Sequence, residues 1–277
     1  MTGEGKLLVI GTPIGNLDDL SARAIAAIKS CAILYCEDTR HTRKLLTHFG
    51  ISVPLDSFHE HNERDKTDRI VERIRSGETV GLVSDAGMPQ LSDPGHPLLR
   101  KVRELGLRVE PIPGPFAGAL ALVASGLPPV PFAFFGFAPH RTGERREFYH
   151  RVAAARMTSI VYESPNRVIG SLEDARAAMG DVEVTVAREM TKLHEEFLNG
   201  AISGVLETLR QRSTIPGEIT LVFGAAAEAP VSLPAPEILR DELHRLRDQG
   251  MRRNDAIKVL AEKYGVSRNE VYRILVE

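Results

Sequence analysis

VGLVSDAGMPQLSDPG (80–95) is the stretch from which the fold is read. Val80–Val83 is a short apolar run that passes directly into a loop of Ser, Asp, Gly and Pro. An apolar run of this length bounded by turn residues reads as a buried strand. A polar, glycine-containing loop at a strand's carboxyl end is where open α/β sheets take their ligands. Gly87 and Gly95 let a ligand approach the backbone, while Pro89 and Pro94 restrict the loop's shape. Asp85 and Asp93 offer acceptors, and no Lys or Arg stands between Ser84 and Gly95. Such a loop suits a ligand with a positive centre, amines or sugar hydroxyls rather than a bare phosphate. A rigid turn with capping aspartates also fits.

Outward from this loop the same pattern recurs. Strand Lys6–Ile10 leads into GTPIGN (11–16), and strand Ala32–Tyr35 leads into EDTRHTRK (37–44). Helices are expected over Asp18–Lys29, His41–His48, Arg69–Arg75 and Leu98–Leu105, followed by strand Arg108–Ile112. Strands alternating with helices at this spacing predict a mostly parallel α/β sheet. PIPGP (111–115) reads as a rigid crossover. A second α/β pattern follows: helix Phe116–Ser125, then strands Ser159–Tyr162, Glu183–Ala187 and Ile219–Phe223, with Ser164 as an N-cap ahead of Pro165. AAAEAPVSLPAPE (225–237) reads as a linker. Beyond it come helices Glu237–Gln249 and Asn254–Lys263, and a last helix opened by a Ser267–Glu270 capping box. The expected domains are 1–113 and 114–226, both α/β, and a helical, helix-turn-helix-like module at 237–277.

Composition narrows the function. The 277 residues are 43% hydrophobic, enough for two modest cores. Thirty-five Lys and Arg against 37 acids leave a net charge of −2, which excludes a strongly basic nucleic-acid binder but not a local basic face. Two cysteines, Cys31 and Cys36, exclude a disulfide scaffold and fit a reducing compartment. No signal peptide is visible, and no segment approaches the roughly 20 apolar residues of a membrane span, so a cytoplasmic protein is expected. Trp is absent and aromatics are 5%, which disfavours a stacking platform for single strands.

Several segments carry candidate chemistry. GTPIGN lacks the last glycine of a dinucleotide fingerprint and the Gly-Lys-Ser/Thr of a P-loop, which disfavours kinases and common nicotinamide enzymes. EDTRHTRK places Asp38 as a proton acceptor near Arg40 and Arg43, which are suited to a phosphodiester. A solvated first helical turn is its plain alternative. FHEHNE (58–63) carries His59 and His61 but no third ligand at a zinc-like spacing, so no metal is expected. YESPNR (162–167) and AREMTKLHEE (187–196) put Glu163, Arg188, Glu189 and Lys192 at strand ends. HRTGERREFYHR (140–151), with Arg145 and Arg146, is the densest basic run and a candidate phosphate contact.

GTPIGNLDDLS, CEDTRHT, FHEHNE, VSDAGMPQLSDPG, PIPGP, SGLP, YESPNR and ARE-TK-HEE occur in one order, and in that order the chain resembles the bacterial ribosomal RNA small subunit methyltransferase I family, a branch of the tetrapyrrole methylase superfamily. The resemblance runs from the first strand to about residue 224 and extends to the helical tail. It implies two α/β domains holding S-adenosylmethionine between them, usually as a homodimer. It also implies 2′-O-methylation of a cytidine in the decoding region of small-subunit 16S ribosomal RNA. By position, Pro13, Ser84, Asp85, Ala86, Leu91 and Ser92 are implied to line the cofactor cleft from one side. Phe116, Ala117, Tyr162, Ala187, Arg188, Gly217 and Glu218 are implied from the other. Met88, Phe116 and Met190 depart from the family's pattern. Candidate bases for the hydroxyl are Asp38, Glu163 and His59, in that order. Arg40, Arg43 and Lys192 are expected on phosphates, and the tail on RNA. The rival readings are a methylase of the same superfamily acting on a tetrapyrrole or a modified histidine, and a non-enzymatic nucleic-acid binder acting through the tail.

Overall fold

The computed structural model describes residues 4–226, 234–264 and 266–276. Part of the expected linker, and the Glu270 side chain of the expected capping box, lie outside the described residues. The first half runs β1 (Lys6–Ile10), α1 (Ala22–Ser30), β2 (Ile33–Cys36), α2 (Thr39–His48), β3 (Leu55–Ser57), α3 (Glu63–Arg75), β4 (Thr79–Val83), α4 (His96–Glu104) and β5 (Arg108–Ile112). Its strands form one sheet in the order β3-β2-β4-β1-β5. Every pairing in it is parallel. Both faces are covered, which is why β1 from Leu7 and β4 from Val80 are apolar. Leu8, Ile10, Ile28 and Leu34 pack on one face, and Leu7, Ile70, Leu82 and Leu98 on the other.

The second half runs α5 (Ala117–Ser125), β6 (Phe132–Phe137), α6 (Thr142–Ala154), β7 (Thr158–Glu163), α7 (Val168–Met179), β8 (Glu183–Arg188), β9 (Glu196–Ala201), α8 (Ile202–Arg210) and β10 (Ile219–Phe223). The sheet order is β6-β7-β10-β8-β9. This sheet is mixed. Only β6–β7 is parallel, and β7–β10, β10–β8 and β8–β9 are antiparallel. The cause is the connections: β8 turns into β9 without a helix, so the chain reverses, and β10 inserts between β7 and β8.

Local expectations shift at three places. α1 begins at Ala22, because the Ser21 hydroxyl accepts from the Ala24 N–H at 3.1 Å, and Leu17–Asp19 is a separate 3₁₀ turn capped by Asn16. Ser164 does not cap α7, which begins at Val168; its hydroxyl accepts from Arg167 Nε at 2.8 Å instead. The basic run at 140–151 is folded into α6.

The segment after residue 226 is a separate compact unit. It comprises α9 (Pro236–Asp248), α10 (Arg253–Tyr264) and α11 (Arg268–Val276), built around Leu239, Leu243, Ile257, Leu260 and Val271. Among the described residues no helix is long and apolar enough to cross a membrane.

Candidate active site

The loops that leave the carboxyl ends of β1, β2 and β4 are stitched together. Thr12 N–H donates to the Gly87 carbonyl at 2.9 Å, and Gly87 N–H returns a bond to Thr12 at 3.1 Å. The Thr12 hydroxyl reaches the Ser84 carbonyl at 3.1 Å. Asp38 N–H donates to Asp85 Oδ1 at 3.1 Å, tying the β2 loop to the β4 loop. The crossover from β5 lies flat on this assembly. A Cβ on Gly11 would stand 2.6 Å from Gly114 Cα, so neither position has room for a side chain. Across the gap, Asn16 N–H donates to Thr191 Oγ1 at 3.0 Å. Four non-glycine residues with positive φ fall in the loops from the two halves: Gln90 and Ser92, and Glu189 and Thr191. Strain held by surrounding structure marks loops shaped for a purpose beyond chain reversal.

Between these loops lies a cleft of about 340 Å³. From the first half it is lined by Ile14, Ala86, Gly87, Met88, Leu91, Ser92 and Asp93; from the second by Phe116, Ala117, Phe137, Tyr162, Glu163 and Met190, with Gly217–Thr220 closing it. Phe134 packs edge-on against both Phe116 and Tyr162, at 5.1 and 5.0 Å between ring centroids, and Phe137 meets Tyr162 at 5.3 Å. This set fixes one wall as a rigid aromatic surface. Burial pushes the Tyr162 hydroxyl up to about 12, so it stays protonated and acts only as a donor or a neutral acceptor.

The opposite wall is acidic. Burial, with Glu37 and Asp85 nearby, raises the Asp93 carboxyl to about 7. Burial and Asp85 also raise Glu37. Asp38 goes the other way: the Arg40 side chain and N–H hold it well below the usual carboxylate range. On the far wall Glu163 is buried, and its Oε1 accepts from Arg167 at 2.6 Å and from the Ser164 N–H at 2.7 Å. Its Oε2 is buried with no hydrogen-bond partner.

Of the residues named from sequence, Ala86, Leu91, Ser92, Phe116, Ala117, Tyr162, Gly217 and Glu218 come together on the cleft, with Glu163 among them. Others do not. Pro13 is buried in the first loop, where Ile14 lines the cleft instead. Ser84 donates to the Gly87 carbonyl at 3.0 Å and shapes the loop. Asp85 receives the Asp38 N–H. Ala187 is fully buried beneath α5. Arg188 is spent on Glu196 at 2.9 Å and on the Pro216 and His194 carbonyls. His59 lies off the cleft, its Nε2 3.0 Å from Asn62 Nδ2. Arg40 and Arg43 line an open groove along α2 with Lys44, Thr47 and His48. Lys192 bridges Glu189 at 2.8 Å and Glu218 at 3.2 Å. Arg145 is buried against Asp174 at 2.7 Å and cannot meet a phosphate, and Arg146 bonds the same carboxylate at 3.0 Å. Phe137 and Thr220 line the cleft without having been named from sequence, and Asp93, named there as an acceptor of the opening loop, lines it with them. Met88, Phe116 and Met190, the departures from the family pattern, all lie on it.

A parallel sheet and a mixed sheet with a ligand cleft between their loops define a methylase fold, and the family model of the tetrapyrrole (corrin/porphyrin) methylases matches residues 6–206. The chain belongs to that family. Solved structures with this fold include a diphthine synthase (TM-score 0.62, 16% identity, 79% of this chain and 90% of that one) and the methyltransferase CobJ (TM-score 0.60, 18% identity, 80% and 95%). Curated relatives are nearer in sequence. A protein of Streptococcus pyogenes serotype M1 is 40% identical over 97% of this chain and 94% of its own. One of Escherichia coli O157:H7 is 36% identical over 99% and 96%. Both carry the name ribosomal RNA small subunit methyltransferase I, and this chain falls within their branch.

Proposed function

We propose that this methyltransferase moves a methyl group from S-adenosylmethionine to the 2′-hydroxyl of a cytidine in the decoding region of 16S ribosomal RNA. The observation that carries the reading is the cleft itself, which sets Asp93, with no Lys or Arg among the lining residues, against an aromatic wall. A cofactor with an ammonium, a sulfonium and a nucleoside fits both walls. The aromatic wall offers flat apolar surface to a base, and Asp93 faces positive charge with no Lys or Arg among the lining residues. When bound, the cofactor supplies an electrophilic methyl on sulfur. The chain's part is positioning, worth up to roughly 7–11 kcal/mol when two reactants are held in line, and removal of the hydroxyl proton.

The names of the relatives support RNA as the acceptor. Arg40, Arg43 and Lys44, which line an open groove along α2, are read as phosphate contacts, and the three-helix tail is read as an RNA-docking module. The two sheets are read as the cores of domains 1–113 and 114–226. We also read the protein as a homodimer: α5 is apolar all round, yet Val123 is 82% exposed, and Phe132 on the edge strand β6 is 43% exposed.

Labelled S-adenosylmethionine incubated with small ribosomal subunits from cells lacking this protein is expected to mark one cytidine. The marked linkage should resist alkali, because a blocked 2′-hydroxyl cannot attack its phosphodiester. Label transferred to a corrinoid precursor and not to RNA would move the protein to the tetrapyrrole branch.

A further inference from the structure

We infer that Asp93 is the group that takes the proton from the acceptor hydroxyl. The inference rests on the ribose-methylation reading above. Of the carboxylates near the cleft, Glu37 and Asp85 do not line it, and the surroundings of four others separate them. Asp38 is not on the cleft wall and is bound by Arg40 through Nε at 3.1 Å and Nη2 at 2.7 Å, which removes its basicity. Glu163 is on the wall, but one oxygen is committed to Arg167 and the Ser164 N–H. The other is buried on a side chain with no accessible surface, so an acceptor hydroxyl does not reach it. Glu218 is 72% exposed and bonded to Lys192. Asp93 lines the cleft with no cation beside it.

The groups that face Asp93 come from three elements. Glu37 follows β2, Ser84 and Asp85 follow β4, and Tyr162 on β7 closes from the second half. Two of these are acids, one is a hydroxyl and one is a neutral phenol, so no cation pairs the carboxylate. Its affinity for a proton, near 7, is matched to accepting one at neutral pH. In the step, the ribose oxygen bonds the methyl carbon as its proton passes to an Asp93 oxygen. The carbon–sulfur bond breaks, its electron pair stays on sulfur, and the proton leaves Asp93 for water.

The test compares wild type, Asp93→Asn and Asp93→Glu in methyl transfer to small subunits across pH 5.5–9, with cofactor affinity measured separately by calorimetry. Asp93→Asn is expected to lose about 10²–10³ in kcat at saturating cofactor, a loss larger than any rise in cofactor Kd, and to lose the rise in rate through pH 7. Asp93→Glu is expected to recover part of the rate and keep a pH-dependent limb. An active wild type with an undiminished Asp93→Asn variant overturns the inference alone. So does a variant whose loss is wholly a raised cofactor Kd. A wild type that methylates no RNA hydroxyl overturns the parent reading and this inference with it.

Discussion

The two sheets treat the charges at their strand ends in opposite ways. On the second, each acid near the cleft has its counterion: Glu163 with Arg167, Glu196 with Arg188 and Arg212, Glu189 with Lys192. The Arg212 contact is the main reason the Glu196 carboxyl falls to about 2. On the first, burial raises the Glu37 and Asp93 carboxyls, and the repulsion of neighbouring acids, Asp85 among them, adds to it. Ion pairs hold the second wall in one geometry. The first wall stores unfavourable charge that a cationic ligand relieves. The difference teaches that reactivity in this cleft belongs to the side whose charges folding leaves unsatisfied.

The comparison breaks most visibly at Arg167. Replacing it by Met strands the buried Glu163 carboxylate, and a loss of about 3 kcal/mol in denaturant unfolding is expected. Adding Glu163→Gln to that variant should restore much of it. If the single variant unfolds like wild type, the second wall is not held by its pairs.

A smaller effect of opposite sign is expected at Asp93. Its folded value near 7 lies above the ordinary 3.8, so between those values the folded chain binds more protons than the unfolded one. Wild-type stability therefore falls as pH rises through that window. Asp93→Asn should be more stable than wild type at pH 8, by about 1 kcal/mol once solvent screening is allowed for, and indistinguishable near pH 3.5. Melting curves across that range check the sign, and a variant less stable at pH 8 would mean that Asp93 holds the loop together.

The smallest effect sharpens the contrast at the rim. Arg40 is 88% exposed at its side chain, so Arg40→Ala should move stability by less than about 0.5 kcal/mol. RNA affinity should weaken, and the slope of log affinity against log salt should fall by about 1. An unchanged slope would place the phosphates elsewhere.

What was legible in the chain follows from the range of the forces involved. β5 and β10 have the bounds expected, because an apolar run closed by turn residues is a local signal. β3, β6 and β9 were not recognised: LDS is three residues long, FAFFGF has aromatic residues on both faces, and EFLNGA carries little apolar alternation. The Asp38–Arg40 pair stands two residues apart and was open to inspection, yet only geometry shows that it silences the carboxylate. The burial of Arg145 against Asp174 depends on a contact 29 residues away and leaves no trace in the basic run itself. Asp93 was visible as an acceptor in the opening loop. That it stays unpaired while its neighbours find partners is a property of the assembled cleft.

At the contact of Gly11 with Gly114 the first loop and the crossover meet as bare main chain, atom against atom. A joint made only of peptide offers natural selection nothing to adjust by degrees: even one added methyl is too large. Variation is thereby left to the walls, where side chains such as Met88, Phe116 and Met190 line the cleft. An immovable seam beside a mutable lining is one way a single ancestral frame comes to serve acceptors as unlike as a corrin ring and a nucleic acid.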